Sequence, residues 1–155
     1  MVRKLPANSF YKIRDPYNFY KAMREDVTLL QSHKKYLSLT TVIVCCLDAL
    51  AAGSGKATRA KFESFVVKHL PQLTEALEAC RPGRRGSATL YDGFRNGFTH
   101  LRAPKREFAI VEDHEVDGLW ADRVEADGIG EFVAINVDRL AREFLSLLAT
   151  LEEAP

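Results

Sequence analysis

YLSLTTVIVCCLDALAA, residues 36–52, is the stretch that decides the fold, because it is apolar on nearly every side when it is wound as a helix. A helix that is apolar all round lies in the interior of a protein. We therefore predict that it forms the central, buried helix of a bundle and ends at the glycine-rich turn 53–55. The apolar run is interrupted by Asp48 and is too short to cross a bilayer, so no membrane partner is expected.

Two helices are predicted on either side of this segment. Asp15-Pro16 is typical of a helix start, with a capping carboxylate followed by proline at the first helical position, and it predicts a helix over 16–32. Apolar residues recur at helical spacing over 58–80, where Pro71 breaks or kinks the pattern.

Beyond Glu107 the apolar residues alternate with a period of two, which is typical of β-strands. Asp-Gly pairs at 117–118 and 127–128 predict the turns between them. Asn136 is predicted to cap a final helix. The strand candidates are 108–111, 119–124 and 132–135.

The predicted fold is therefore mainly α. It is a bundle of about five helices, with a small antiparallel β hairpin or three-strand meander inserted over 107–135, before the C-terminal helix 137–152. A length of 155 residues fits one domain, 1–155, in which 1–14 form an N-terminal arm.

Charge excludes a general attraction for nucleic acid or for an anionic membrane, because 22 basic residues balance 21 acidic ones. One local patch stands out between positions 81 and 106, where only Asp92 opposes a group of basic residues. That group is Arg81, Arg84, Arg85, Arg95, Arg102, Lys105 and Arg106.

The three cysteines fit neither a disulfide framework nor a zinc site, since two of them are the neighbours Cys45 and Cys46. A reducing cytoplasm is the predicted compartment. The histidines show no metal-ligand spacing, so no metal and no cofactor is expected. The Gly53–Thr58 segment lacks the glycine and hydroxyl spacing of a phosphate-binding loop, and we interpret it as an inter-helix turn.

The candidate site lies on a helix that Ser87 is predicted to cap and that ends before Pro104. Gly93 and Gly97 interrupt this helix, and each costs about 1 kcal/mol relative to alanine. They leave a smooth strip on which we expect the backbone of a neighbouring helix or a ligand to approach closely. The symmetric homodimer is the commonest source of such a neighbour.

Arg95, Asn96 and His100 border that strip. Arg95 is long enough to reach toward His100, and the dipole at the end of a helix favours the imidazolium. Asn96 lies one turn before His100 and is expected to orient its ring. Together they offer a proton donor or acceptor beside a fixed positive charge.

An arginine followed by a polar residue, three more residues and a histidine, on a late helix of a small bundle, resembles the signature of the HEPN superfamily. Asn96 matches the polar position. The resemblance implies a homodimer in which the two motifs face one cleft, and a metal-independent endoribonuclease that uses the 2′-hydroxyl of RNA as nucleophile. His100 would then handle protons, Arg95 would bind the scissile phosphate and Asn96 would position it.

The resemblance also implies a toxin or defence protein, with RNA and an antitoxin or another protein as partners. Basic residues near the motif are the candidates for binding the flanking phosphates of the RNA. These are Arg81, Arg84, Arg85, Arg102 and Lys105.

Two alternatives involve no catalysis. In the first, the chain is a HEPN-like interaction module whose glycine-lined face packs a partner helix, while Arg95 and His100 bridge the interface. In the second, the same two residues bind a nucleotide or another small anion without turnover.

Overall fold

A computed structural model describes residues 16–101 and 103–154. The predicted arm 1–14, the capping Asp15 and the predicted RNA-binding residue Arg102 lie outside the described residues. The described residues form a mainly helical bundle with a small sheet placed before the C-terminal helix, as the sequence predicts.

Helix α2 is central in the bundle, as predicted, but it is not buried all round, because Leu37 and Cys45 are exposed. It packs against helices on several sides, namely α1, α3, α6 and α7. Leu39, Ile43 and Leu47 on α2 are completely buried. The long helices are α1 (Pro16–Ser32), α2 (Tyr36–Ala52), α3 (Arg59–His69), α4 (Pro71–Cys80) and α7 (Val137–Glu153).

A break at Leu70 separates α3 from α4, and its cause is the proline that follows. Pro71 occupies the first position of α4, where a missing N–H costs nothing. The hydroxyl of Thr58 accepts a hydrogen bond from the backbone N–H of Lys61 at 3.3 Å and caps α3. The predicted kink is thus a junction between two helices.

A composite helix over residues 86–101 follows α4. It consists of α5 (Gly86–Thr89), a π-helix (Leu90–Arg95) and α6 (Asn96–Leu101). Ser87 does not cap it, because the helix already begins at Gly86 and has no side-chain cap. A Cβ on Gly86 would lie 1.7 Å from the carbonyl oxygen of Thr74, so only glycine lets α5 cross α4 this closely.

The sheet contains β1 (Phe108–Val111), β2 (Ala121–Ala126) and β3 (Gly130–Asn136), in the order β1-β3-β2. The hairpin of β2 and β3 is antiparallel, as predicted. Strand β1 is parallel to β3, so the predicted all-antiparallel arrangement is wrong. Residues 112–120, which include a 3₁₀ helix at Asp113–Val116, are too long for a tight hairpin and carry the chain past β3.

Asn136 joins the sheet to α7 and is completely buried. Its side-chain oxygen accepts a hydrogen bond from the backbone N–H of Arg139 at 2.9 Å, which confirms the predicted cap. Its amide nitrogen donates to Asp113 at 2.8 Å and to the carbonyl oxygen of Leu119 at 2.9 Å. The hydrogen bond to Asp113 holds the pKa of that carboxyl below its usual range. One side chain therefore fixes the helix, the 3₁₀ helix and the sheet.

Replacing Asn136 by alanine is expected to lower the free energy of unfolding by about 2–4 kcal/mol, because it removes a cap and the buried amide that donates to Asp113 and to the carbonyl oxygen of Leu119. Thr58→Ala is the matched control, since it removes only an exposed cap and should cost about 1 kcal/mol. Chemical denaturation measures both. An Asn136→Ala cost no larger than that of Thr58→Ala would contradict the joining role.

Candidate functional site

The Arg95–His100 motif lies where the composite helix changes from a π-helix to an α-helix. The π-helix ends at Arg95 and α6 begins at Asn96, whose backbone N–H donates to the carbonyl oxygen of Tyr91. Single π-turns inside helices occur often at functional sites, because they change the direction in which the following side chains point. The motif therefore begins at the last residue of the π-helix, and Asn96 and His100 lie on the α-helix that follows it.

Arg95 is held by three neighbours. Its Nη2 lies 2.7 Å from a carboxylate oxygen of Asp48 on α2, and its Nη1 donates to the side-chain oxygen of Asn96 at 3.0 Å. The guanidinium carbon lies 5.1 Å from the centre of the Tyr91 ring. Burial lowers the pKa of Arg95, but the hydrogen bond and charge of Asp48 outweigh it, so the pKa is raised and the cation is fixed.

His100 is exposed near the end of α6, whereas Arg95 and Asp48 are mostly buried. Within the described residues, no hydrogen bond joins His100 to Arg95 or Asn96, and the side-chain oxygen of Asn96 accepts from Arg95. The expected reach of Arg95 toward His100 and the expected orienting role of Asn96 are therefore not seen. The structure places the proton-transfer candidate at the surface, whereas the cation is mostly buried.

The glycine strip is covered by the chain itself. A Cβ on Gly93 would lie 2.6 Å from the ring of Phe108, and one on Gly97 would lie 2.6 Å from the carbonyl oxygen of Ala103. The backbone N–H of Lys105 also donates to the carbonyl oxygen of Gly93 at 3.0 Å. The expectation that a partner helix or ligand approaches this strip is thus wrong, because the segment leading into β1 fills it.

Predicted RNA-binding arginines are paired with carboxylates, one of them Asp92 inside the same run and the others outside it. Arg81 contacts Glu107 at 3.0 Å, and Arg84 contacts Asp92. Folding therefore neutralises much of the basic run between positions 81 and 106. Arg85 and Arg95 are also paired, with Glu63 at 2.8 Å and with Asp48. Lys105 and Arg106 are exposed.

Arg59 on α3 and Asp48 on α2 are site residues that the sequence analysis missed. The guanidinium carbon of Arg59 lies 5.2 Å from the centre of the Tyr91 ring, so Arg59 and Arg95 share one aromatic side chain. A signal for Asp48 was available, because it is the single charged residue in 36–52 and a buried charge needs a partner. Nothing local marks Arg59.

The thiols are poor nucleophile candidates in this setting. Burial, and then the charge of Asp48, raises the pKa of Cys45. Burial raises the pKa of Cys46 to about 12 and also raises that of Cys80. A raised pKa leaves little thiolate at neutral pH, and the thiolate is the nucleophilic form.

Comparison of the chain with models of protein families, with curated proteins and with solved structures gave no match. Over 16–101 and 103–154, no group of three His, Cys, Asp or Glu side chains is placed to hold a metal ion. Each helix in the same ranges is too short or too polar to cross a membrane. The resemblance to the HEPN superfamily therefore rests on the Arg95–His100 pattern.

Asp48→Ala is expected to lower the free energy of unfolding by about 2 kcal/mol or more, because it leaves the mostly buried Arg95 cation unpaired. The control is Glu131→Ala, which removes an exposed partner of Arg123 and should cost under about 1 kcal/mol. Adding Arg95→Met to Asp48→Ala should recover part of the loss, since no unpaired charge then remains. Urea denaturation decides, and equal small losses for both single variants would contradict a structural pair.

Proposed function

We propose that the chain is a HEPN-like, metal-independent endoribonuclease that acts as a homodimer. The observation that carries the proposal is that one composite helix carries both a fixed cation and an exposed imidazole. Arg95 is held by Asp48 and Asn96, and His100 follows it on α6 at the surface. These are the two functions that cleavage of a phosphodiester needs, namely charge stabilisation and proton transfer.

In the proposed reaction, the imidazole of His100 takes the proton of a ribose 2′-hydroxyl. The 2′-oxygen then attacks the adjacent phosphorus, and the bond from phosphorus to the 5′-oxygen breaks. The leaving 5′-oxygen takes up a proton from solvent or from a second imidazole. The products are a 2′,3′-cyclic phosphate and a 5′-hydroxyl, and no oxidant or metal is needed to balance the step.

Arg95 is proposed to stabilise the charge that develops on the phosphoryl oxygens. Each of its terminal nitrogens carries two N–H groups, and the contacts to Asp48 and Asn96 use one on each. The remaining N–H groups supply donors for a phosphate. Asp48 is then a positioning residue, because it fixes the guanidinium before substrate binds and so avoids an ordering cost during the reaction.

The homodimer is supported by the surface beside His100. Leu101, the last residue of α6, is 66% exposed and places an apolar side chain at the surface next to His100. A second copy packed on this end of the composite helix would cover Leu101 and bring two His100 side chains to one cleft. A reducing cytoplasm and a toxin or defence role with an antitoxin belong to the same proposal, and the three free cysteines accord with that compartment.

Cleavage of unstructured RNA in the presence of EDTA tests the catalytic part. His100→Ala should lower the rate roughly 10²- to 10⁴-fold, which is the usual contribution of a general acid or base. His114→Ala is the control, since His114 is an exposed histidine on the 3₁₀ helix and should keep full activity. Equal background cleavage by the wild type and both variants would leave a non-catalytic module, and stabilisation by a nucleotide without product would identify an anion-binding one.

Sedimentation velocity tests the dimer. Leu101→Glu should shift the protein toward the monomer and lower the rate of RNA cleavage together with it. Ile129→Glu is the matched control, because Ile129 is also exposed but lies in the turn between β2 and β3. A wild-type protein that is monomeric at all concentrations measured would overturn the shared cleft.

A further inference from the structure

A groove of about 670 Å³ lies between α3 and the start of α5. Three cationic side chains line it against one carboxylate, and two serines line the same space. The cations are Arg59, Lys68 and Arg85, the carboxylate is Glu63, and the serines are Ser64 and Ser87. Its composition matches the chemistry of phosphate binding, in which cations and hydrogen-bond donors surround an anion.

A buried carboxylate organises two of these cations. Only 8% of the Glu63 side chain is exposed, and its two oxygens contact different arginines, Arg59 at 2.6 Å and Arg85 at 2.8 Å. Arg59 is fixed further by two contacts of 3.1 Å to the carboxylate of Asp92. The guanidinium of Arg59 is therefore held in place before any ligand arrives, which reduces the entropy that binding would cost. Arg85 is 73% exposed and is tied to the groove by its contact with Glu63.

Donors remain for a ligand after these contacts. A guanidinium carries five N–H groups, and Arg59 uses three of them within the described residues. Arg85 and Lys68 extend the set of donors at the same groove. Val67, which is exposed, adds an apolar wall suited to a ribose or a base.

The groove is connected to the proposed catalytic centre through Tyr91. Arg59 lies 5.2 Å and Arg95 5.1 Å from the centre of the same ring, so the cation at the groove and the cation at the motif are close neighbours. A second cavity, between the 81–84 turn and the sheet, is a weaker candidate for an anion. There Arg81 and Arg123 are each paired with a glutamate that lines the same cavity.

We propose that this groove binds the phosphates of a single-stranded RNA that flank the phosphate cleaved at Arg95 and His100. The proposal rests on the proposed ribonuclease function for the statement that the bound RNA runs on to Arg95 and His100. Binding of RNA in the groove is a separate property, which can be measured without cleavage. Arg59 and Lys68 were not among the residues that the sequence singled out, whereas Arg85 was.

Fluorescence anisotropy with a labelled single strand of about 12 nucleotides tests the groove, in EDTA and with His100→Ala as background so that no RNA is cut. Lys68→Glu should raise Kd roughly tenfold at low salt, and adding Arg85→Ala should raise it further. The slope of log Kd against log salt should become shallower by about 0.7 for each phosphate that the protein no longer neutralises. Lys56→Glu is the matched control, because it makes the same charge change outside the groove and should alter Kd only slightly.

Lys68→Glu leaves both partners of Glu63 in place, and an unchanged melting temperature will show that it folds. A Kd that rises equally in Lys56→Glu, or that rises in neither variant, would overturn the groove. Inorganic phosphate bound as tightly as the RNA would identify a small-anion site instead and would also overturn it. If Lys68→Glu loses RNA binding but the protein with His100 intact cleaves no RNA, the groove is upheld and the ribonuclease is refuted. If that protein cleaves RNA but Lys68→Glu binds RNA normally, the ribonuclease is upheld and the groove is refuted.

Discussion

The ion pair between Asp48 and Arg95 is the contact on which the arrangement of the motif depends. Asp48 is the single charged residue of the buried helix α2, and a charge taken out of water must be paired. Arg95 supplies the partner at 2.7 Å, so the composite helix must present this side chain to α2. Because the buried carboxylate of Asp48 needs a cationic partner, it also decides where the candidate cation of the site lies.

The opposite side of the composite helix is fixed by contacts that only glycine permits. Gly86 lies against the backbone of α4, while Gly93 and Gly97 receive Phe108 and the segment 103–105. With α2 on one side and these contacts on the other, the helix has little freedom to rotate. The polar residues that serve neither contact are left at its free face, and His100 is the one at the end.

Features set by neighbouring residues could be predicted from the sequence. The all-round apolar pattern identified α2, Asn136 identified the start of α7, and Asp127-Gly128 identified the β2–β3 hairpin. Features set by distant residues could not. The parallel pairing of β1 depends on the path through 112–120, and the partner of Arg95 lies 47 residues away. The glycine strip is a further example. Its lack of side chains could be predicted from the sequence, but the segment that packs on it could not.

Pairing changes what the basic residues can contribute to binding. A run of arginines that looks like an RNA-binding patch in the sequence becomes an alternating array, in which Arg84, Arg59 and Arg85 are separated by the carboxylates of Asp92 and Glu63. Such an array has little long-range attraction for a polyanion, in line with a net charge of +1. The array does hold guanidinium groups in fixed directions. Tyr91 contacts both Arg59 and Arg95, and so links the array to the motif. Recognition at this surface therefore depends on the geometry of its donors at short range, because the net field that would draw in a strand from a distance is largely cancelled.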